Sequence, residues 1–155
     1  MRHVKLICFG KLKEPWLRAA CAEYEKRLGP WCRLETVELS PSALPDNPSA
    51  AQIEQALSAE AKLAGEKIVK GASVIALCVE GRQMASEQFA AWLEAQSEIA
   101  FLIGSSFGLH ESIKNQAQLK LSLSNMTFPH QLARVMLLEQ IYRAFQIQTG
   151  GKYHK

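Results

Sequence analysis

Apolar blocks alternate with amphipathic segments along the whole chain. His3–Phe9 reads as a strand that Gly10 ends, and Pro15, suited to a first helical turn, opens a helix to Leu28 before Gly29-Pro30. Cys32–Leu39 alternates as a third element, a strand. Ser40–Pro48, with Pro41, Pro45 and Pro48, reads as a loop. Ser49 with Gln52 three residues on has capping-box spacing, and the helix it starts runs to about Lys70. Ser73–Val79 is a continuous apolar run, the pattern of a strand buried on both faces, closed by Gly81. Ser86 caps a helix through Glu94, and Ile99–Ile103 is a second fully apolar strand. After the loop Gly104–Gly108 come a short helix over Glu111–Gln118, a strand over Leu119–Leu123, a loop over Ser124–Pro129 and a last helix over Gln131–Gln148.

Repeated β-α units with buried central strands predict an α/β fold: a parallel sheet with helices on both faces, in one domain over residues 1–155. The last helix carries Leu132, Val135, Met136, Leu137, Leu138, Ile141, Tyr142 and Phe145, more than one stripe requires. Such a helix is either central in its own domain or sandwiched between core and partner, and a twofold dimer is the simpler expectation here.

Composition narrows the class. With 155 residues, 48% hydrophobic and 21% charged, the chain is too apolar for a disordered tail and too charged for a membrane bundle. No run approaches the roughly 18 apolar residues of a membrane span. Lys5 interrupts the apolar N-terminus and no cleavage site follows, so the expectation is a cytoplasmic protein with reduced cysteines. Cys8, Cys21, Cys32 and Cys78 form no Cys-x-x-Cys pair and none lies at ligand spacing from a His, which argues against a metal. The net charge of +3 hides an asymmetry: residues 1–33 carry +5, residues 34–100 carry −6 and residues 101–155 carry +4. Basic ends around an acidic middle suit contact with a polyanion on one surface, although solvated helix faces give the same pattern.

Ligands of open parallel sheets bind beyond the carboxyl ends of the strands, here Val79–Gly81, Gly104–Gly108 and Ser124–Pro129. Gly104-x-x-x-Gly108 matches neither a dinucleotide fingerprint nor a P-loop, so a tight turn and a ligand loop both stay open. His3, His110 and His130 read as strand-end or helix-start residues, and no hydrolytic triad or carboxylate pair stands out. The closing Gly150-Gly151-Lys152-Tyr153-His154-Lys155 is either a frayed terminus or a segment that stacks on a base and neutralises phosphate.

Five features occur in combination: Leu77, Ile103-Gly104, Leu-Ser-x-Met-Thr-Phe-Pro-His at 123–130, Arg-Val-x-x-x-Glu-Gln-x-Tyr-Arg-Ala at 134–144 and the terminal Tyr-His-Lys. With the opening Lys-Leu-Ile-Cys-Phe-Gly-Lys-Leu-Lys and Glu-Tyr-Glu-Lys-Arg-Leu-Gly-Pro at 23–30, the whole chain resembles the bacterial large-subunit ribosomal RNA pseudouridine N3-methyltransferases of the SPOUT class. That resemblance implies a C-terminal trefoil knot, a homodimer, and action on assembled ribosomes. It implies S-adenosylmethionine held by Leu77, Gly104, Leu123, Ser124, Asn125, Met126, Thr127 and Phe128. The family usually has a second glycine where this chain has Ser105, whose side chain is expected to narrow the loop or to place a hydroxyl near the methionine part of the cofactor.

On this reading His154, the tail residue that titrates near neutrality, accepts a proton or orients the base. Tyr153 stacks on or hydrogen-bonds the target, and Arg143, Lys152 and Lys155 hold phosphates; for Arg143 the alternative is a charge complementing the helix dipole. Two rivals follow from the same residues: a non-catalytic ribosome-associated binding protein, and a nucleotide-binding α/β enzyme that would take ATP or NAD.

Overall fold

The computed structural model describes residues 1–155. Its order is β1 (Arg2–Phe9), α1 (Pro15–Leu28), β2 (Cys32–Leu39), α2 (Ala50–Glu66), β3 (Ser73–Gln83), α3 (Ser86–Glu94), β4 (Glu98–Ile103), α4 (Glu111–Asn115), β5 (Leu119–Ser122) and α5 (His130–Gln148). The five strands form one sheet in the order β2-β1-β4-β3-β5, every neighbouring pair parallel.

Strand alternation divides the core into two layers. Val4, Leu6, Cys8, Ile75, Ile99 and Phe101 face α1, α3 and α5, whereas Ile7, Phe9, Val74, Ala76 and Leu102 face α2 and α4. Crossovers towards the β2 edge carry α1 and α3 on one face; those towards the β5 edge carry α2 and α4 on the other. A single crossover hand requires that arrangement. α5 packs between α1 and α3 in the middle of its layer. This central position accounts for buried Leu137, Leu138, Ile141, Ala144 and Phe145, and leaves Met136 and Tyr142 half-buried.

The helix starts follow local chemistry. Ser49 Oγ accepts from the Gln52 N–H at 3.1 Å and Gln52 Oε1 accepts from the Ser49 N–H at 2.8 Å, the expected capping box. At α3 the cap is one residue earlier than expected: Gln88 Oε1 accepts from the Ala85 N–H, while Ser86 Oγ donates to Gln140 of α5. α2 and α4 end at Glu66 and Asn115, short of the expected Lys70 and Gln118.

β3 departs most from expectation, for it runs past Gly81 to Gln83. Leu77 and Arg82 both pair with Leu121, so the register slips and residues 78–81 stand off the ladder. At Gly81 the bulge lies tight against β5: a β-carbon there would sit 2.8 Å from the Lys120 backbone. The bulge leaves Val79 45% exposed at the sheet's carboxyl edge rather than buried on both faces.

Candidate active site

A cleft of about 830 Å³ opens at the carboxyl ends of β3, β4 and β5. Its walls are the β3 bulge (77–80), the glycine loop (103–109) and the segment 123–130 that leads into α5, apart from Asn125. That volume is the size of a site for a medium-sized organic molecule.

Each wall is shaped by its backbone. A β-carbon on Gly104 would sit 2.4 Å from the carbonyl carbon and oxygen of Gly108, so only glycine lets the loop fold over itself there. The Gly108 N–H closes the turn onto the Ser105 carbonyl at 2.8 Å with φ of +85°. In the third wall Ser122 Oγ donates to the Ser124 carbonyl, and Ser124 Oγ accepts from the Met126 N–H, both at 3.0 Å. No main-chain N–H of residues 124–128 is donated to another main-chain group, and only that of Met126 goes to a side chain, which leaves the N–H groups of Ser124, Asn125, Thr127 and Phe128 for a ligand. Phe107 and Met126 are 50% and 73% exposed at the rim.

Charges are few. Lys114 Nζ reaches Glu80 at 2.6 Å and Glu111 at 2.9 Å. Burial works to lower the Lys114 pKa, but the bonds to Glu80 and Glu111 outweigh it and the net shift is upward. The same bond to Lys114 holds the Glu80 carboxyl below its ordinary value. Burial, then the nearby Arg134 charge, lowers the His130 pKa, so the imidazole at the cleft is neutral at pH 7. Burial pushes the Cys78 thiol upward.

Of the eight residues expected around the cofactor, Leu77, Gly104, Leu123, Ser124, Met126, Thr127 and Phe128 line this cleft. The Asn125 side chain does not; its Oδ1 accepts from Gln83 Nε2 at 2.7 Å. Nor does the Ser105 hydroxyl turn to the cleft: it donates to Glu60 of α2.

The tail forms a second cluster, folded onto α3 and α5. Arg143 grips Glu139 with Nε and Nη2 at 3.0 and 3.1 Å, and its Nη1 donates to His154 Nδ1 at 3.1 Å. His154 Nε2 meets Glu87 of α3 at 2.6 Å. Tyr153 donates to Glu139 at 3.3 Å, lies edge-on to Tyr142 with centroids 4.9 Å apart, and sits under the Arg143 guanidinium at 4.8 Å. Burial first, then the Glu139 charge, raises the Tyr153 pKa, so the phenol stays protonated. The tail is therefore docked rather than frayed, and Arg143 is already paired. Lys152 and Lys155 are exposed.

Tail and cleft do not meet within one chain: neither Tyr153 nor His154 lines the cleft. Between them lies a hollow of about 340 Å³ that shares Leu123 with the cleft and Glu139 with the tail. Sequence reasoning missed Glu139, Glu87, Glu80 and Lys114. Glu139 and Arg143 carried a signal, an i,i+4 acid-base pair, and so did Lys114 with Glu111 at i,i+3; Glu80 and Glu87 are joined across elements and carried none. No group of three or more His, Cys, Asp or Glu is placed to hold a metal ion, and no helix is long and apolar enough to cross a membrane.

Comparison with known proteins finds relatives over nearly the whole chain. Residues 2–154 match a family model described as "Predicted SPOUT methyltransferase". A protein of Streptococcus equi subsp. zooepidemicus called ribosomal RNA large subunit methyltransferase H is 48% identical over 157 residues, covering 98% of this chain and 99% of that one. A Leuconostoc mesenteroides protein of the same name is 47% identical over 158 residues, covering 99% of each. Among solved structures, a probable methylase family protein from Haemophilus influenzae Rd KW20 shares the fold, with a TM-score of 0.57 at 16% identity over 98% of this chain and 70% of that one.

Proposed function

The chain belongs to the SPOUT methyltransferase family, and we propose that it methylates N3 of a pseudouridine in large-subunit ribosomal RNA, using S-adenosylmethionine. The observation that carries this reading is the cleft, a hollow at the strand ends walled by main chain and glycine, in a chain whose full-length relatives are named for methylation of that RNA. We read residues 1–155 as one SPOUT-like domain with a C-terminal trefoil knot, working in the cytoplasm where ribosomes are.

The cleft suits the donor. Leu77, Leu123 and Phe128 offer apolar surface to a purine, Ser124, Asn125, Thr127 and Phe128 offer main-chain N–H groups, and Gly104 keeps the loop clear of side chain. Ser124, Met126 and Thr127 would complete the wall, with Asn125 contributing backbone only. When bound, S-adenosylmethionine supplies an electrophilic methyl group on a sulfonium centre.

The remaining work falls to this chain's side chains. Pseudouridine N3 carries a proton between two carbonyls and is a poor nucleophile until that proton leaves. His154 takes it through Nδ1, the nitrogen that now accepts from Arg143 Nη1. Arrival of an RNA phosphate draws Nη1 away and frees Nδ1, while Glu139 keeps hold of Nε and Nη2. Tyr153 positions the base, and Lys152 and Lys155 hold neighbouring phosphates. Holding the base in line with the methyl supplies roughly 7–11 kcal/mol of the barrier reduction. The separation of tail and cleft in one chain supports a homodimer in which one subunit's tail serves its neighbour's cleft.

Mass spectrometry of ribosomal RNA from cells lacking the gene tests this. One methyl group on a large-subunit pseudouridine should vanish and return when the gene is restored. An unchanged methylation pattern would overturn the reading.

A further inference from the structure

Ser105 and Glu60 come from different elements and meet at 2.8 Å, Oγ to Oε1. Glu60, in α2, is only 4% exposed. Its other oxygen accepts from the Ser42 N–H at 2.9 Å, and Ser42 Oγ donates to the Ala56 carbonyl at 3.2 Å. Both oxygens of a buried acidic group are thus met by neutral donors, one from the glycine loop and one from the proline-rich segment after β2. Burying such a group is costly unless it is hydrogen-bonded, so each donor is held firmly.

The bond to Glu60 is the only side-chain hydrogen bond made by residues 104–108. Ser105 also carries the carbonyl that closes the Gly108 turn. Between Ile103 at the end of β4 and the buried Leu109, the Ser105 hydroxyl makes the loop's one side-chain hydrogen bond to the rest of the fold.

We propose that Ser105 and Glu60 are positioning residues for the methyl donor: the buried carboxylate holds the glycine loop in the shape that receives it. The inference rests on the reading that this cleft takes S-adenosylmethionine, and it gives Ser105 a role through the loop rather than by contact.

The test compares Ser105→Ala, Ser105→Thr, Glu60→Gln and the double variant Ser105→Ala/Glu60→Gln. Three readouts are needed: calorimetric affinity for S-adenosylmethionine, single-turnover rate at saturating donor, and amide hydrogen exchange of residues 105–108 without donor. Ser105→Ala should weaken donor binding about tenfold, the scale of one hydrogen bond to a charged group. Its rate at saturating donor should stay within about twofold, as expected for lost binding that the transition state does not feel. Ser105→Thr should restore affinity, the double variant should bind no more weakly than Glu60→Gln, and loop exchange should quicken in both Ser105→Ala and Glu60→Gln. Wild-type affinity and exchange in Ser105→Ala, or additive losses in the double variant, would overturn the proposal. Failure of the unaltered protein to bind donor would sink the cofactor assignment instead, and the exchange measurements would still decide whether Ser105 and Glu60 hold the loop.

Discussion

His154 Nε2 lies 2.6 Å from Oε1 of Glu87, which assigns the ring proton to Nε2 and leaves Nδ1 as the acceptor for Arg143. That bond, the first cause of the lowered Glu87 pKa, orients the imidazole much as a carboxylate orients a catalytic histidine. His154→Ala should slow single-turnover methylation on the order of 100- to 10,000-fold, the range for a lost general base. Affinity for the donor should be unchanged. Full rate across pH 6–9 would remove His154 from the chemistry.

Arg143 serves Glu139, His154 and the Tyr153 ring at once, through three nitrogens and one face. An ammonium group cannot reproduce that fork. Arg143→Lys should therefore raise the KM for ribosomes about tenfold, equivalent to about 1.4 kcal/mol, with donor affinity intact. Equal kinetics for the two proteins would show that the fork is unnecessary.

Gly104→Ala drives a β-carbon into the Gly108 backbone, which has no flexible end to give way. The loop must open at a cost of about 1–3 kcal/mol, and calorimetry should show donor affinity lower by about tenfold or more. Chemical denaturation of the same variant measures the stability loss directly.

Burial raises the thiol of Cys8 to about 12 and that of Cys32 to about 11, so neither forms appreciable thiolate at pH 8. Cys78 is half-buried and lines the cleft. An aromatic disulfide reagent at pH 8 should react first at Cys78, and saturating S-adenosylmethionine should slow that reaction. Peptide mapping of the labelled protein identifies the site; labelling indifferent to donor would separate Cys78 from the ligand.

His130 sets a pH dependence of stability. Its pKa is lower in the folded protein than the ordinary 6.5, through burial and then Arg134. The unfolded chain therefore takes up the proton first as pH falls. The stabilisation from His130 is complete above 6.5 and is lost as pH drops from there towards the folded value. Thermal melting between pH 7.5 and 5 should fall more steeply for the native protein than for His130→Gln.

Much of the fold was legible because it is local. The apolar runs of β1 and β4, the Ser49–Gln52 cap and the Pro15 helix start need only neighbouring residues to form. The course of β3 beyond Gly81 was not legible, because it depends on pairing Leu77 and Arg82 with one residue, Leu121, some 40 positions away. Likewise the cleft walls followed from strand ends, whereas the partners of Ser105, Asn125 and His154 come from α2, β3 and α3. The apolar excess of α5 illustrates the ambiguity: one pattern suits both a helix central in its layer and a helix facing a partner, and the packing places it centrally.

A crystal structure of the protein soaked with S-adenosylmethionine tests the central claim most directly. The donor should lie between the glycine loop and residues 124–128, with its purine against the main chain and Gly104 facing it. Density for the ligand anywhere else, or a cleft still empty at saturating donor, would contradict the account.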